Sequence, residues 1–177
     1  MDVQKEKLSN TKIFEFHYGK GNNIPEDIGG IYDVYGANGV VSHINEYNCE
    51  DVSIIGHIGT AGLVNRCKGK CFVTYNGTIA NIIDKNVINT QYFYYYLLTL
   101  NLPAKVKGSQ PFLSVSDFSD IKISIPPLAL QEKIVDILDK FDNYTNSIES
   151  GLKGEIEKNR KRYEYYRDLL LNFEKES

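Results

Sequence analysis

The chain changes character at Ile125-Pro-Pro-Leu-Ala-Leu-Gln-Glu-Lys-Ile-Val-Asp-Ile-Leu-Asp-Lys-Phe141. Before this stretch the sequence is mixed and punctuated by glycine; after it a long helix with coiled-coil spacing begins. Pro126 and Pro127 hold extended backbone, and Pro127 suits the first turn of a helix, where its missing N–H goes unused. Apolar residues then recur at Leu130, Ile134, Ile137, Phe141, Tyr144 and Ile148, in alternating steps of four and three. That repeat makes a seam for another helix. Gly151 and Gly154 interrupt it, each costing about 1 kcal/mol against alanine inside a helix, so a kink or short loop is predicted near 150–154. A second helix is predicted from about 155 to 173, with Tyr163, Tyr166 and Leu170 continuing the spacing. Residues 157–162 on its outer side are strongly charged and read as a solvated face. The expected organisation is a head over 1–127 and a helical stalk over 128–177.

With 177 residues, 42% of them hydrophobic, the chain can bury a core of its own. No apolar run has the length of a membrane span, and the first residues lack the apolar centre of a signal peptide. Cys49, Cys67 and Cys71 are an odd number in a chain without an export signal, which implies free thiols in a reducing cytoplasm. Their spacing, with His43 or His57 added, fits no compact zinc pattern, and no metal is expected.

Net charge is -3, yet it is unevenly spread. Residues 1–51 carry four lysines against nine acids, whereas 52–116 carry Arg66, Lys68, Lys70, Lys85, Lys105 and Lys107 against Asp84 alone. A locally basic middle in an acidic chain suits a one-sided phosphate-binding surface. Simple fluctuation along a loop-rich region would give the same numbers, and charge alone does not choose.

The head reads as β-rich. Short apolar runs at 52–59, 71–77 and 78–84, and the alternation at 121–126, have strand character. Asn38-Gly39 and Asn76-Gly77 are turn dipeptides. Residues 90–100 read as a helix capped by Asn89 or Thr90, in spite of their five aromatics. Tyr92 to Tyr96 are expected to divide between core and surface. The predicted fold class is α+β, a β-rich domain followed by a long helical region.

Several segments, weak singly, occur together in a specific order: Tyr18-Gly-Lys-Gly, Val34-Tyr-Gly-Ala-Asn-Gly-Val40, Ile54-Ile-Gly-His-Ile-Gly-Thr-Ala-Gly62, Gly108-Ser-Gln-Pro-Phe-Leu-Ser114, Ile125-Pro-Pro-Leu, and Lys161-Arg-Tyr-Glu-Tyr-Tyr-Arg-Asp-Leu-Leu170. From about residue 13 to 171 the chain resembles the DNA specificity subunits of bacterial type I restriction-modification systems. Such subunits usually alternate recognition domain, helix, recognition domain, helix, and this chain carries one of each. The resemblance implies a target-recognition domain over 1–127 and a conserved helical spacer over 128–177. It further implies a homodimer, formed through an antiparallel coiled coil, reading a palindrome with a gap. A helix from 128 to 149 would be roughly 33 Å long, about one turn of DNA. The fold-back alternative, in which the seam packs on its own head as core, stays open. Two departures stand out. His57 occupies a position where similar chains often have arginine, which makes a phosphate contact there weaker or pH-sensitive. A short N-terminus predicts a reduced opening edge strand.

DNA contacts are expected in loops that combine basic, amide and hydroxyl groups: Lys20, Asn22 and Asn23 in one, His57, Thr60, Arg66, Lys68 and Lys70 in the next, and Lys105, Lys107, Ser109 and Gln110 in a third. Lysines hold phosphates, and amides offer the paired donor and acceptor that adenine requires. Turn-making is the competing role for each amide. Tyr35 and Asn38 read as turn residues.

The sequence offers no catalytic constellation. It has no Walker-type phosphate loop, and Ile125-Pro-Pro-Leu lacks the polar and aromatic flanks of a methyltransferase motif. Glu155-Ile-Glu-Lys158 has the letters of a nuclease metal motif without a matching upstream acid. The resemblance therefore implies a non-enzyme without cofactors of its own. S-adenosylmethionine and ATP with magnesium would belong to methyltransferase and restriction subunits, with double-stranded DNA the shared partner. A second hypothesis is a truncated decoy that occupies modification subunits through its helices without reading DNA. Reversal of Lys68 and Lys70 is expected to abolish DNA binding under the first hypothesis only.

Overall fold

The computed structural model describes residues 3–106, 111–148 and 153–172. Its centre is a six-stranded sheet of β2 (Phe14–Tyr18), β3 (Tyr32–Gly36), β4 (Gly39–Ile44), β5 (Cys49–Gly56), β6 (Val64–Val73) and β7 (Gly77–Ile82), in the order β2-β7-β5-β6-β3-β4. Neighbours are antiparallel except β3 and β6, which run parallel. β5 shows why the sheet has two cores. Alternate side chains point to opposite faces, so Val52 and Ile54 join Cys67, Cys71, Val73 and Ile79 in a small cluster, whereas Ile55 joins Phe14, Ala80 and Ile82 in a larger one. A bulge between Glu50 and Val52 bends β6 around the small cluster, with Asp51 and Gly69 both at positive φ.

The larger core is closed by α1 (Thr90–Thr99), α2 (Leu128–Ile148) and α3 (Lys153–Leu171). Asn89 caps α1, its side chain accepting from the backbone N–H groups of Gln91 and Tyr92. Tyr92 and Tyr95 are buried on that helix. Their hydroxyls donate to the Ser124 carbonyl at 2.9 Å and to Asp139 at 2.5 Å, so the tyrosine run ties the head to α2. β1 (Gln4–Lys7) pairs with β8 (Lys122–Ile125) as a separate two-stranded ribbon. The four-residue opening strand braces the entry to α2.

The helical region differs from a free stalk. Ile134 and Leu138 are buried in the head core, and Leu130 packs against it. Phe141 stacks on Tyr166 of α3, centroids 5.5 Å apart and planes 17° from parallel. Tyr163 and Leu170 pack on the same core, which Leu171 enters fully. Only Ile137 and Tyr144 of the six-residue seam are exposed, and the side chain of Ile148 lies outside the described residues. The fold-back alternative accounts for much of this stripe, because a heptad and an amphipathic period differ by only about 20° per repeat. Of the predicted break, residues 149–152 lie outside the described ones, and Gly154 sits within α3. Among the described residues no helix is long and apolar enough to cross a membrane.

Candidate nucleic-acid interface

β2 and β5 end where β7 begins: Tyr18 pairs with Thr78, and Gly56 with Gly77. The segments leaving these strands are stitched to one another by backbone. Gly19 N–H donates to the Gly77 carbonyl and Lys20 N–H to that of Val73, each at 2.9 Å. Tyr75 N–H returns a bond to the Gly21 carbonyl at 3.2 Å. A side chain at Gly19 is excluded, since a Cβ there would lie 2.3 Å from the carbonyl oxygens of Val73 and Thr74. The loop after β5 joins through His57 N–H to Asn76, and Gly59 N–H to Pro111. Gly62, at φ 84°, lets that loop touch the Leu102–Lys105 3-10 turn, where a Cβ would meet the Pro103 nitrogen at 2.6 Å.

The three loops singled out by sequence therefore converge on one end of the sheet. Lys20, Asn22, Asn23 and Thr60 are exposed there, and Lys105 is half-buried. Lys107, Ser109 and Gln110 belong to the same connection but lie outside the described residues. Residues 18–23, 56–64, 74–78 and 101–113 contain no Asp or Glu at all.

Three of the predicted residues sit differently. Arg66, Lys68 and Lys70 are on β6, not in the loop with Thr60, and Lys70 pairs with Glu50 at the far end of β5. Arg66 turns inward with its side chain only 8% exposed. Its guanidinium donates to Asp51, to the carbonyls of Val52 and Cys67, to Gln91 and to Thr90. Burial opposes the ionised Asp51, but the Arg66 hydrogen bond and charge outweigh it and hold that carboxyl below the usual range. Lys70 is exposed, its Nζ 4.5 Å from the centre of the Tyr47 ring. Lys68 borders a cleft of about 390 Å³ that Asp33, Arg66 and Asp142 also line. Burial raises Asp142 above the ordinary carboxylate range and pushes the Tyr35 phenol up to about 12. This end has mixed sign.

Comparison with known proteins matches residues 3–158 to the family described as the type I restriction modification DNA specificity domain. The chain belongs to that family. It is 44% identical over 90 residues to a putative type I restriction enzyme specificity subunit of Haemophilus influenzae, a match covering 51% of this chain and 23% of that protein. It is 35% identical over 150 residues to a putative type I specificity subunit of Mycoplasma pneumoniae, covering 81% and 40% respectively. The fold is similar to the crystal structure of a type I restriction-modification S subunit from M. genitalium, with TM-score 0.71 and 20% identity, over 96% of this chain and 46% of that one. The matched regions cover 23% to 46% of the length of these proteins. The family is one of specificity subunits, not of catalysts.

Within this specificity domain one residue corrects the expectation from sequence and another was not foreseen. His57 is 1% exposed and works as a hub, not as a surface contact. Its Nδ1–H donates to the Leu113 carbonyl at 2.8 Å, and the rings of Tyr18, Phe112 and Tyr75 surround it at 4.1, 4.6 and 5.6 Å. Gln131, fully buried on α2, donates to the carbonyls of Val87 and Pro126 and accepts from Asn89 N–H. It locks α2 to the head. Cys49 and Cys71 face each other with Sγ atoms 3.5 Å apart, and all three cysteines are free thiols.

Proposed function

We propose that this chain is a non-catalytic DNA-reading module of a type I restriction-modification system, with recognition carried by residues 1–127 and spacing by 128–177. The observation that carries the reading is the convergence of four segments without a single carboxylate on one end of the sheet. A duplex carries a negative charge about every 1.7 Å, so a binding surface gains from lysines undiluted by acids. Lys20 and Lys105 supply them, and Asn22, Asn23 and Thr60 supply base-edge donors and acceptors; Lys107, Ser109 and Gln110, outside the described residues, are proposed to add to both. Lys68 and Lys70 belong to the periphery of that contact. α2, with 21 residues, spans roughly 32 Å, about one turn of duplex. Two copies joined through the exposed Ile137 and Tyr144 side of α2 would present two heads to half-sites of a gapped palindrome. Methyltransferase subunits, and restriction subunits where present, would supply the chemistry in the bacterial cytoplasm.

Selection of a random duplex library on the full chain tests this reading. The expected result is enrichment of a two-part motif related by a two-fold axis. Failure to enrich any motif, with methyltransferase subunits still captured by the chain, would instead support an assembly decoy.

A further inference from the structure

The acid-free end of the sheet also bears an apolar feature that phosphate binding does not require. Tyr18, Tyr75 and Phe112 are 37%, 38% and 41% exposed, and Ile58 beside them is 38% exposed. They come from three different segments and share one support, the buried His57 ring. Tyr18 and Tyr75 also touch each other, centroids 5.6 Å apart. The support is itself fixed: His57 Nδ1–H is bonded to Leu113, His57 N–H to Asn76, and Ile58 is bridged to Phe112. The exposed rings are therefore set in place before any ligand arrives, and little rotamer freedom is lost on contact.

The shape matters as much as the exposure. A platform for successive single-stranded bases presents faces in one plane. Here Tyr18 and Tyr75 are inclined by 55°, and Phe112 by 58° to the shared histidine, which makes a knob. Two of the same segments also carry lysine, Lys20 two residues after Tyr18 and Lys105 seven residues before Phe112. An apolar knob on segments that carry lysine and no carboxylate fits a ligand with anionic rails and apolar planes between them. That ligand is a base-paired duplex.

We propose that Tyr18, Tyr75 and Phe112 form an aromatic wedge that enters the duplex beneath the head and takes the face of a partly unstacked base. This deepens the DNA-reading function proposed above and rests on it. Wedges of apolar side chains partly unstack a base step and kink the helix, and pyrimidine–purine steps open most readily. Each half-site is therefore expected to carry such a step under the head.

The test uses the full chain and the duplex it enriches from the random library, with 2-aminopurine placed at successive positions. The wild-type chain is expected to raise fluorescence at one position per half-site. Tyr75→Leu and Phe112→Leu, which keep apolar volume against His57, should abolish that rise and weaken binding about tenfold, the equivalent of one stacked base. Their salt dependence should match wild type, and Tyr75→Phe should retain the signal. Wild-type affinity and signal in both leucine variants, with Lys20→Glu still weakening binding, would overturn the wedge and leave DNA reading standing. Loss of affinity on replacing thymine by uracil, without any fluorescence rise, would also overturn it, because the rings would then be touching methyl groups in an unopened groove. Absence of duplex binding by the wild-type chain would sink the DNA-reading function itself.

Discussion

The two ends of the central sheet both hold cations and differ in what those cations are free to do. Where β2 and β5 end and β7 begins, Lys20 and Lys105 stand in segments that lack Asp and Glu altogether. Where β5 begins, Arg66 and Lys85 share Asp51, Lys70 lies over Tyr47 and opposite Glu50, and Lys68 acts on Asp142. A cation already paired must give up its partner before it can hold a phosphate, and a buried one must also be moved. The comparison teaches that basic residues are counted usefully only after their carboxylate neighbours are known.

The largest effect that sharpens this contrast is on stability. Arg66→Met should cost about 3 kcal/mol, since it removes five hydrogen bonds and leaves the part-buried Asp51 with only Lys85 and Thr90 as partners. The measurement is the chemical-denaturation midpoint. DNA affinity per folded molecule should stay near wild type. A variant that folds normally but loses DNA would place Arg66 at the interface and break the comparison.

Next in size is the exchange of charge at the two ends. Lys20→Glu with Lys105→Glu should flatten the slope of log affinity against log salt by about 1.8, the loss of two phosphate contacts. Lys68→Glu with Lys70→Glu, the pair that charge counting along the sequence favours, should flatten it by less. Equal losses from the two double variants would mean that the duplex spans both ends of the sheet.

Much of the fold was legible because it is decided locally. Asn89 before an aliphatic and aromatic run, the Asn-Gly turns, and Pro126-Pro127 ahead of α2 each determine an element within a few residues. The segment order carried the family. The site was half legible: three loops rich in lysine and amide could be named, but not their union. That union depends on pairings such as Tyr18 with Thr78 and Ile58 with Phe112, which no periodicity announces. The aromatic knob was invisible for the same reason, its members lying at 18, 57, 75 and 112. Arg66 was misassigned to a loop because its partners, Asp51 and Gln91, lie 15 and 25 residues away. The seam was over-read as an open face because a three-four repeat serves a core as well as a coiled coil. Gln131 interrupts that apolar stripe as a polar residue, and its burial is explained only by the three backbone groups it satisfies.

The smallest expected effect concerns the margin between the two ends, where residues 24–31 follow Asn22 and Asn23 along the edge strand β4. Ile28 and Gly30 N–H groups donate to the His43 carbonyl, and Asp27 Oδ2 lies 3.0 Å from His43 Nδ1, with Asp33 Oδ1 3.6 Å from Nε2. The hydrogen bond to Asp27 raises His43 above its ordinary pKa, and the same bond lowers Asp27 below its own. His43 binds its proton more tightly in the folded chain. Its contribution is therefore complete below about pH 6.5, the unfolded value, and is lost as pH rises through the folded value above it. Asp27 acts in the opposite sense: its contribution is complete above about pH 3.9 and is lost as pH falls through its lower folded value. The loop should be held most firmly between these limits. Amide hydrogen exchange at Ile28 and Gly30 should accelerate modestly as pH rises past the His43 titration, after correction for intrinsic exchange. Asp27→Asn should remove that step while leaving exchange in the loops around His57 unchanged. A step that persists in the variant would assign it to Asp33, and no step at all would detach the edge loop from His43.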